Sequence, residues 1–390
     1  MNHSAERDAT RSTTTATAGP ATVATPATTT TTTAASNRAP RRVAVIGGTR
    51  YFGRHLVTLL RDAGTEVTLI NRGSAPPPPG VDHVQADRDD EDALTAALGD
   101  RTFDAVIDQV LYTPAQAVVA RRVFADRTPR YVMTSTMEVY DPATSPLLRA
   151  APGLPVAEEA VDPEHWPVDL GLPWHDPAAL ARHFGEATAY AEGKRQAEAV
   201  LAAGRPPFGW ASVRSAHVLG GGALDFTGRL AHFTGAIAAG RPVAVHEHPQ
   251  PTSFVRHEEI AAALVAVAAS SSAGAVNAAS AEPLDAVGLS ELIAGHLGTT
   301  VRYRPAEGAD HAPFSFDRWY PMDTRRAASL GLSFSPLGSW LPAAVAEAVA
   351  TLEAAATPGA VATLEAAATP GAVATLGAAA TPGATAGKDV

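Results

Sequence analysis

Two side chains four residues apart, in the run Tyr190-Ala191-Glu192-Gly193-Lys194, offer the sequence its most useful chemistry. On a helix this spacing puts the phenol and the ammonium on one face. A tyrosine with an ordinary pKa of about 10 is a poor base at neutral pH; a nearby cation stabilises its phenolate and brings proton exchange into working range. Lys194 supplies that cation and can also hold the ribose of a nicotinamide cofactor. Taken alone, the spacing also describes a solvated pair on a helix surface. The run Thr134-Ser135-Thr136 adds weight, because it closes a strand-like segment ahead of Tyr190, where a hydroxyl can bond a substrate oxygen.

Hydride chemistry needs a dinucleotide site, and Val43 to His55, V-A-V-I-G-G-T-R-Y-F-G-R-H, has the form of one. A short apolar strand leads into a glycine turn and an amphipathic helix from Gly53 to about Ala63. Gly47, Gly48 and Gly53 let backbone approach a diphosphate at the positive end of that helix, with Thr49, Arg50, Tyr51 and Phe52 between them. The usual fingerprint has a further glycine where Arg50 stands. At the end of the second strand, NAD-preferring sites place an acid for the ribose hydroxyls; this chain has Asn71-Arg72, and with Arg50 it points to NADP over NAD. Asp87, ending the third strand, can accept from the adenine amino group or serve as a helix-start carboxylate. Val110, past the fourth strand, completes the cofactor set.

The elements that must position these residues follow from the alternation of strand-like and helical runs. Strands are expected at Glu66 to Ile70, Asp82 to Ala86, Asp104 to Asp108, Arg130 to Thr134 and Gly209 to Val213. Helices are expected at Glu91 to Leu98, Pro114 to Phe124, Ala187 to Ala203 and Glu258 to Ala269, with Asp176-Pro177 starting another. This is the order of an α/β, Rossmann-type, doubly wound parallel sheet. Residues 41–213 form the NAD(P)-binding domain. Residues 214–348 form a smaller C-terminal substrate lobe, with 251–275 returning to the first domain. Residues 1–40, rich in Thr, Ala and Pro, read as a disordered tail or an overextended start to the reading frame. Residues 349–390 read as a flexible tail, in which TLEAAATPGAVA begins at Thr351 and Thr363 and recurs altered at Thr375; three such copies are too short for a solenoid.

Composition removes several alternatives. The 390 residues carry 30 Lys+Arg against 40 Asp+Glu, a formal charge of -10 that disfavours a phosphate-backbone partner. No cysteine means no disulfide, thiolate metal site or thiol nucleophile. No apolar run is long enough for a bilayer, and the first residues lack a secretory core, so the expected location is cytoplasmic. The histidines in His246-Glu247-His248 and His257-Glu258-Glu259 lack metalloprotease spacing, and no metal is expected. No serine sits in a G-x-S-x-G elbow, which leaves an esterase without its nucleophile.

Several segments in order, VIGGTRYFG, AVID, YVMTSTMEVY, YAEGKRQAEAVL, VRSAHVLGGG, SFVRHEEIAAALV and MDTRRAASLGL, resemble the NAD-dependent epimerase/dehydratase family, the extended and atypical branch of the short-chain dehydrogenases/reductases. The resemblance covers roughly residues 42–348. It implies a catalytic set of Thr136, Tyr190 and Lys194, with Ser135 the neighbouring alternative to Thr136, and a four-helix contact in a homodimer. Departures narrow the chemistry. Sugar-nucleotide dehydratases carry Thr-Asp-Glu where this chain has Thr136-Met137-Glu138; methionine cannot protonate a leaving hydroxyl, although Glu138 keeps a carboxylate. Epimerases of nucleotide sugars usually show an arginine for the diphosphate where Thr252 stands. His217 occupies the place of a substrate-binding asparagine, as a substrate contact or a hydrogen-bonded histidine beside the sheet. The segment Pro142 to Pro177 makes the Thr136 to Tyr190 separation roughly twice the family's habit; its Trp166 and Trp174 suggest a lid over substrate, or a surface insertion packed on its own lobe.

The reading is an NAD(P)-dependent oxidoreductase or epimerase acting at a hydroxyl or carbonyl carbon of a small molecule, a sugar derivative or secondary metabolite. The rival is a non-catalytic protein of the same fold that senses dinucleotide or binds RNA, since GGTRYFG also resembles the chloroplast stem-loop-binding relatives.

Overall fold

The computed structural model describes residues 39–149, 151–308 and 310–356. The expected tail 1–40 falls almost wholly outside them, as do the second and third twelve-residue repeats. In chain order the elements begin with β1 (Arg42–Ile46), α1 (Tyr51–Asp62), β2 (Glu66–Asn71), β3 (Asp82–Gln85), α2 (Glu91–Leu98), β4 (Ala105–Asp108), α3 (Pro114–Phe124) and β5 (Arg130–Thr136). Next come α4 (Pro177–Phe184), α5 (Glu186–Ala202), β6 (Gly209–Ser215), β7 (His217–Leu219), α6 (Arg229–Ala238), β8 (Val243–Val245) and β9 (Phe254–Arg256). The chain then forms α7 (His257–Ala269), β10 (Gly274–Ala278), α8 (Ala286–Leu297), β11 (Tyr303–Pro305), α9 (Arg325–Ser329) and α10 (Leu337–Ala356).

Seven parallel strands lie in the order β10-β6-β5-β4-β1-β2-β3. The chain builds outward from β1 through β2 to β3, then crosses back to β4 on the other side, so the switch point lies between β1 and β4. Such a crevice, at the carboxyl ends of the strands, is where open α/β sheets bind ligands. Each face is apolar. Val43, Val45 and Leu69 pack with α1 and α7 on one side, while Ala44, Ile46 and Val106 pack with α3 and α5 on the other. Strands covered on both faces read as continuous apolar runs, which is why they are visible in the sequence.

The seventh strand, β10, was not expected. Its sequence GAVNA is small, and only pairing with β6 from Gly274↔Ala211 to Ala278↔Ser215 makes it a strand. Two short parallel pairs, β7·β9 and β8·β11, and helices α6, α8 and α10 enclose a separate cluster around Phe233, Phe254, Ile293 and Trp340. α10 runs to Ala356, eight residues past the expected boundary at 348; Val349 packs on this cluster and Leu352 lies against Gly235 of α6. The first repeat's TLEAAA is thus helical.

The segment 142–177 is not an open flap. Trp174 is buried and its indole donates to the Asp169 carbonyl; Trp166 donates to Glu192 Oε1 at 3.0 Å and lies under the Arg195 guanidinium. Asp169 N–H bonds Gln196 Oε1, and Arg214 holds the carbonyls of Glu158 and Val161 at 2.8 and 2.9 Å. Trp166 is covered by α5 and Trp174 lies beside Gly193 of the same helix, so the segment is fastened to the helix that carries Tyr190, the packing expected of a surface insertion.

Candidate functional site

The glycine turn takes the form its composition demands. Gly47 and Gly48 have φ of 91° and 86°, in the region where a Cβ is penalised. A Cβ on Gly53 would lie 2.1 Å from Gln109 Oε1 and 2.9 Å from Gly48 Cα, so the third glycine is there for close approach. Thr49 is half-buried in the turn, and Val110 packs against Gly47 from the end of β4. Tyr51 holds φ at 48°, a strained value for an aromatic residue; its ring is edge-on to Phe52 and its buried hydroxyl has no partner.

Arg50 and Arg72 are exposed, and neither guanidinium has an ion-pair or hydrogen-bond partner among the described residues. Asn71 Oδ1 is engaged by Gly73 N–H at 2.7 Å and His83 Nε2 at 3.1 Å. Asp87 is exposed past β3 and accepts from Asp89 N–H, while the helix-start role in that acidic run belongs to Asp90, which caps α2 through Ala93 N–H. Between them, the buried Arg88 pairs with Asp108, whose carboxylate also accepts from the Tyr131 hydroxyl and the Val110 N–H. This ties the β3 and β4 ends together at the switch point.

Tyr190 and Lys194 lie on α5 facing the end of β5. Lys194 is buried, with Nζ donating to the carbonyls of Leu111 and Thr134 at 2.7 and 2.8 Å, 4.4 Å from the Tyr112 ring centroid and 6.0 Å from that of Tyr190. Burial lowers its pKa to about 7 against the pull of Asp108 and Glu198. The same burial, helped by Tyr112, holds the Tyr190 phenol above its ordinary value against a hydrogen bond to Thr136, so the expected lowering by Lys194 is corrected: burial outweighs it. Thr136 also accepts from the Glu138 N–H at 3.2 Å as it caps the turn Met137–Tyr140. Ser135 points elsewhere, into the interior, where its hydroxyl is buried without a partner. β5 alternates its faces, so Thr136 and Ser135 cannot both serve one cleft.

Glu138 and His217 meet across the cleft, His217 Nδ1 lying 3.8 Å from Glu138 Oε1. Burial, then Asp141, raises the Glu138 pKa to about 7, whereas burial and Arg229 push that of His217 well below its ordinary value. His217 is therefore a neutral imidazole, stacked on Phe316 and packed against Phe314. The two departures Met137 and Thr252 are both buried and touch each other, Thr252 Oγ1 to Met137 Sδ at 3.8 Å, so neither presents a charge to substrate.

Sequence reasoning missed four contributors. Tyr112 roofs Lys194, Gln109 lines the glycine turn, Arg229 stands beside His217, and Gly193 lets α5 approach. A Cβ on Gly193 would meet the Tyr112 carbonyl oxygen at 2.4 Å. At an open helix position Gly to Ala stabilises by roughly 0.5–1 kcal/mol. Here the sign reverses: Gly193→Ala should lower the denaturation midpoint, measured by urea titration, and a raised midpoint would refute the close approach. The glycine was visible inside Y-x-x-G-K; its partner, eighty residues away, was not.

No group of three or more His, Asp or Glu among the described residues is arranged to hold a metal ion, and no helix there is long and apolar enough to cross a membrane. The family model for the NAD dependent epimerase/dehydratase family matches residues 43–158. The 2'-dehydrokanamycin reductase of Streptomyces kanamyceticus is 34% identical over 124 residues, 31% of this chain and 35% of that one. The chloroplast stem-loop binding protein of 41 kDa b of Arabidopsis thaliana is 25% identical over 225 residues, 54% of this chain and 50% of that one. The chain thus spans half or less of the curated relatives it matches. Among solved structures, the Bordetella bronchiseptica enzyme WbmH in complex with NAD+ superposes with a TM-score of 0.56 at 18% identity, over 80% of this chain and 98% of that one, which establishes the shared fold.

Proposed function

We propose, from the match of residues 43–158 to the NAD dependent epimerase/dehydratase family model, that the chain is an NAD(P)-dependent reductase or epimerase acting at a carbinol or carbonyl carbon of a small polyhydroxylated molecule. The observation that carries the reading is the Tyr190 phenol, flanked by the Thr136 hydroxyl and the Lys194 ammonium, at the carboxyl edge of the sheet. A dinucleotide held at the glycine turn would supply the hydride. Tyr190 delivers the proton to the carbonyl oxygen as it becomes an alkoxide, Thr136 orients that oxygen, and Lys194 offsets the charge left on the phenolate. A phenol held above its ordinary pKa is fully protonated at neutral pH, the state needed for the reductive direction. The buried Met137 offers no acid for dehydration.

The pair Tyr190 and Lys194 favours catalysis over the non-catalytic reading that the stem-loop-binding relative suggests. Reductase and epimerase differ in whether the cofactor leaves. Mass spectrometry of dinucleotide released by denaturing fresh protein separates them: retained NAD(P) supports the epimerase cycle, an empty protein the reductase. Failure of that protein to bind either NADPH or NADH would remove the hydride and sink both.

The two unpartnered guanidiniums support a preference for NADP. Each charge-assisted bond to a 2'-phosphate is worth roughly 1.5–3 kcal/mol. Arg72→Ala and Arg50→Ala should each weaken NADPH binding about ten- to a hundredfold while leaving NADH unchanged, by fluorescence titration. Equal losses for both dinucleotides would assign these side chains to the shared diphosphate or to neither.

A further inference from the structure

Among the described residues, no carboxylate lies within ion-pair range of the Lys194 ammonium, which is 2% exposed. The two acids whose charge reaches it are committed elsewhere. Asp108 pairs with Arg88 and accepts from the Tyr131 hydroxyl, and Glu198 pairs with Arg214. Two of the three N–H donors on Nζ go to the Leu111 and Thr134 carbonyls. A buried ammonium with two neutral acceptors has lost most of its hydration. Burial, more than the like charge of Arg88, brings its pKa down to about 7, so a modest change in its surroundings decides whether it carries a charge at neutral pH.

Tyr112 supplies what the two carbonyls do not. Its ring centroid lies 4.4 Å from Nζ, well inside cation–π range, against 6.0 Å for the ring of Tyr190. Burial, then Asp108, pushes the Tyr112 phenol up to about 12, so the ammonium meets a neutral π face and not a phenolate. The loop that carries the ring is set from both sides. Tyr112 N–H donates to Gln116 Oε1 at 2.7 Å, beside the capping box that starts α3, and the Tyr112 carbonyl abuts Gly193, where a Cβ would come within 2.4 Å. A carboxylate in this place would cancel the charge on Lys194. A ring stabilises the ammonium and leaves its charge to act on Tyr190, whose own ring lies 6.3 Å from that of Tyr112.

We propose that Tyr112 is a positioning residue, whose ring keeps the Lys194 side chain an ammonium beside the Tyr190 phenol. This deepens the function proposed above and rests on it for the reaction, but not for the charge on Lys194. The sign follows from which form the ring favours: it attracts the cation and not the amine, so removing it favours loss of the proton. Near neutral pH the amine would then prevail, and the phenolate left after proton transfer would lose its neighbouring cation.

Lys194 and Lys388 are the only lysines in the sequence, so the full chain grown on isotope-labelled lysine gives two sets of side-chain NMR signals, assigned by Lys388→Arg. The pH midpoint of Lys194 is measured for the wild type, Tyr112→Phe, Tyr112→Leu and a chain carrying a multiply fluorinated phenylalanine at position 112. Tyr112→Phe should titrate with the wild type, and Tyr112→Leu about one pH unit lower. The fluorinated ring, which keeps the shape of phenylalanine but drains its π face, should fall between them. Equal midpoints for the plain and fluorinated rings, or an unchanged midpoint in Tyr112→Leu, overturn the proposal. So does a fall in Tyr112→Phe as large as in Tyr112→Leu, since the hydroxyl would then be responsible. Should Tyr112→Leu fail to fold, the two rings of equal shape decide the matter. Because the readout is a side-chain titration without substrate, the fate of turnover in Tyr190→Phe is a separate result.

Discussion

Tyr190→Phe is expected to lower turnover by about two to four orders of magnitude, the range associated with losing a positioned acid–base group, while NAD(P)H binds as in the wild type. The substitution removes one hydroxyl and keeps a ring that packs 6.3 Å from that of Tyr112, so the fold has no reason to change. Carbonyl substrates are screened by the disappearance of reduced nicotinamide absorbance, and the variant is compared on whichever the wild type consumes. Lys194 needs a different expectation. Its Nζ ties the Leu111 loop to β5 through two carbonyls, so Lys194→Met loses stability as well as rate. Tyr190→Phe therefore tests the chemistry cleanly, and turnover within a factor of a few of wild type would remove Tyr190 from the mechanism.

The second large effect is on stability. Glu198 and Arg214 are both fully buried, with Arg214 Nη2 2.6 Å from Glu198 Oε2 and Nε 3.2 Å from each carboxylate oxygen. Burial opposes the guanidinium's charge, yet Glu198 and Tyr140 hold its pKa above the ordinary value. Removing one partner strands the other's charge in the interior, so Glu198→Ala should cost about 3–5 kcal/mol in denaturant unfolding. Replacing both, as Glu198→Met with Arg214→Met, leaves no stranded charge but also removes the donors to the Glu158 and Val161 carbonyls, so only part of that loss should return. A single variant costing under about 1 kcal/mol would show that water reaches the pair. The same guanidinium clasps the Glu158 and Val161 carbonyls, so the double variant, which lacks it, should also loosen segment 142–177, seen as faster proteolysis there.

Much of the frame was legible in the chain because its signals are local. The buried strands RVAVI and EVTLIN are continuous apolar runs, and α2 and α3 begin and end where their caps Asp90 and Thr113 and their periodicity put them. The glycines of the dinucleotide turn and the four-residue spacing of Tyr190 and Lys194 are likewise written in neighbouring residues. Tertiary structure alone decided what depends on distant partners. GAVNA becomes a strand only beside β6, and Trp166 and Trp174 are covered by α5. Met137 and Thr252, 115 residues apart, bury each other. Packing, not sequence, brings Arg229 to His217 and Phe314. A residue's type fixes which bonds it can make; whether those bonds are already taken depends on what the fold brings within about 3 Å, and no local pattern carries that information.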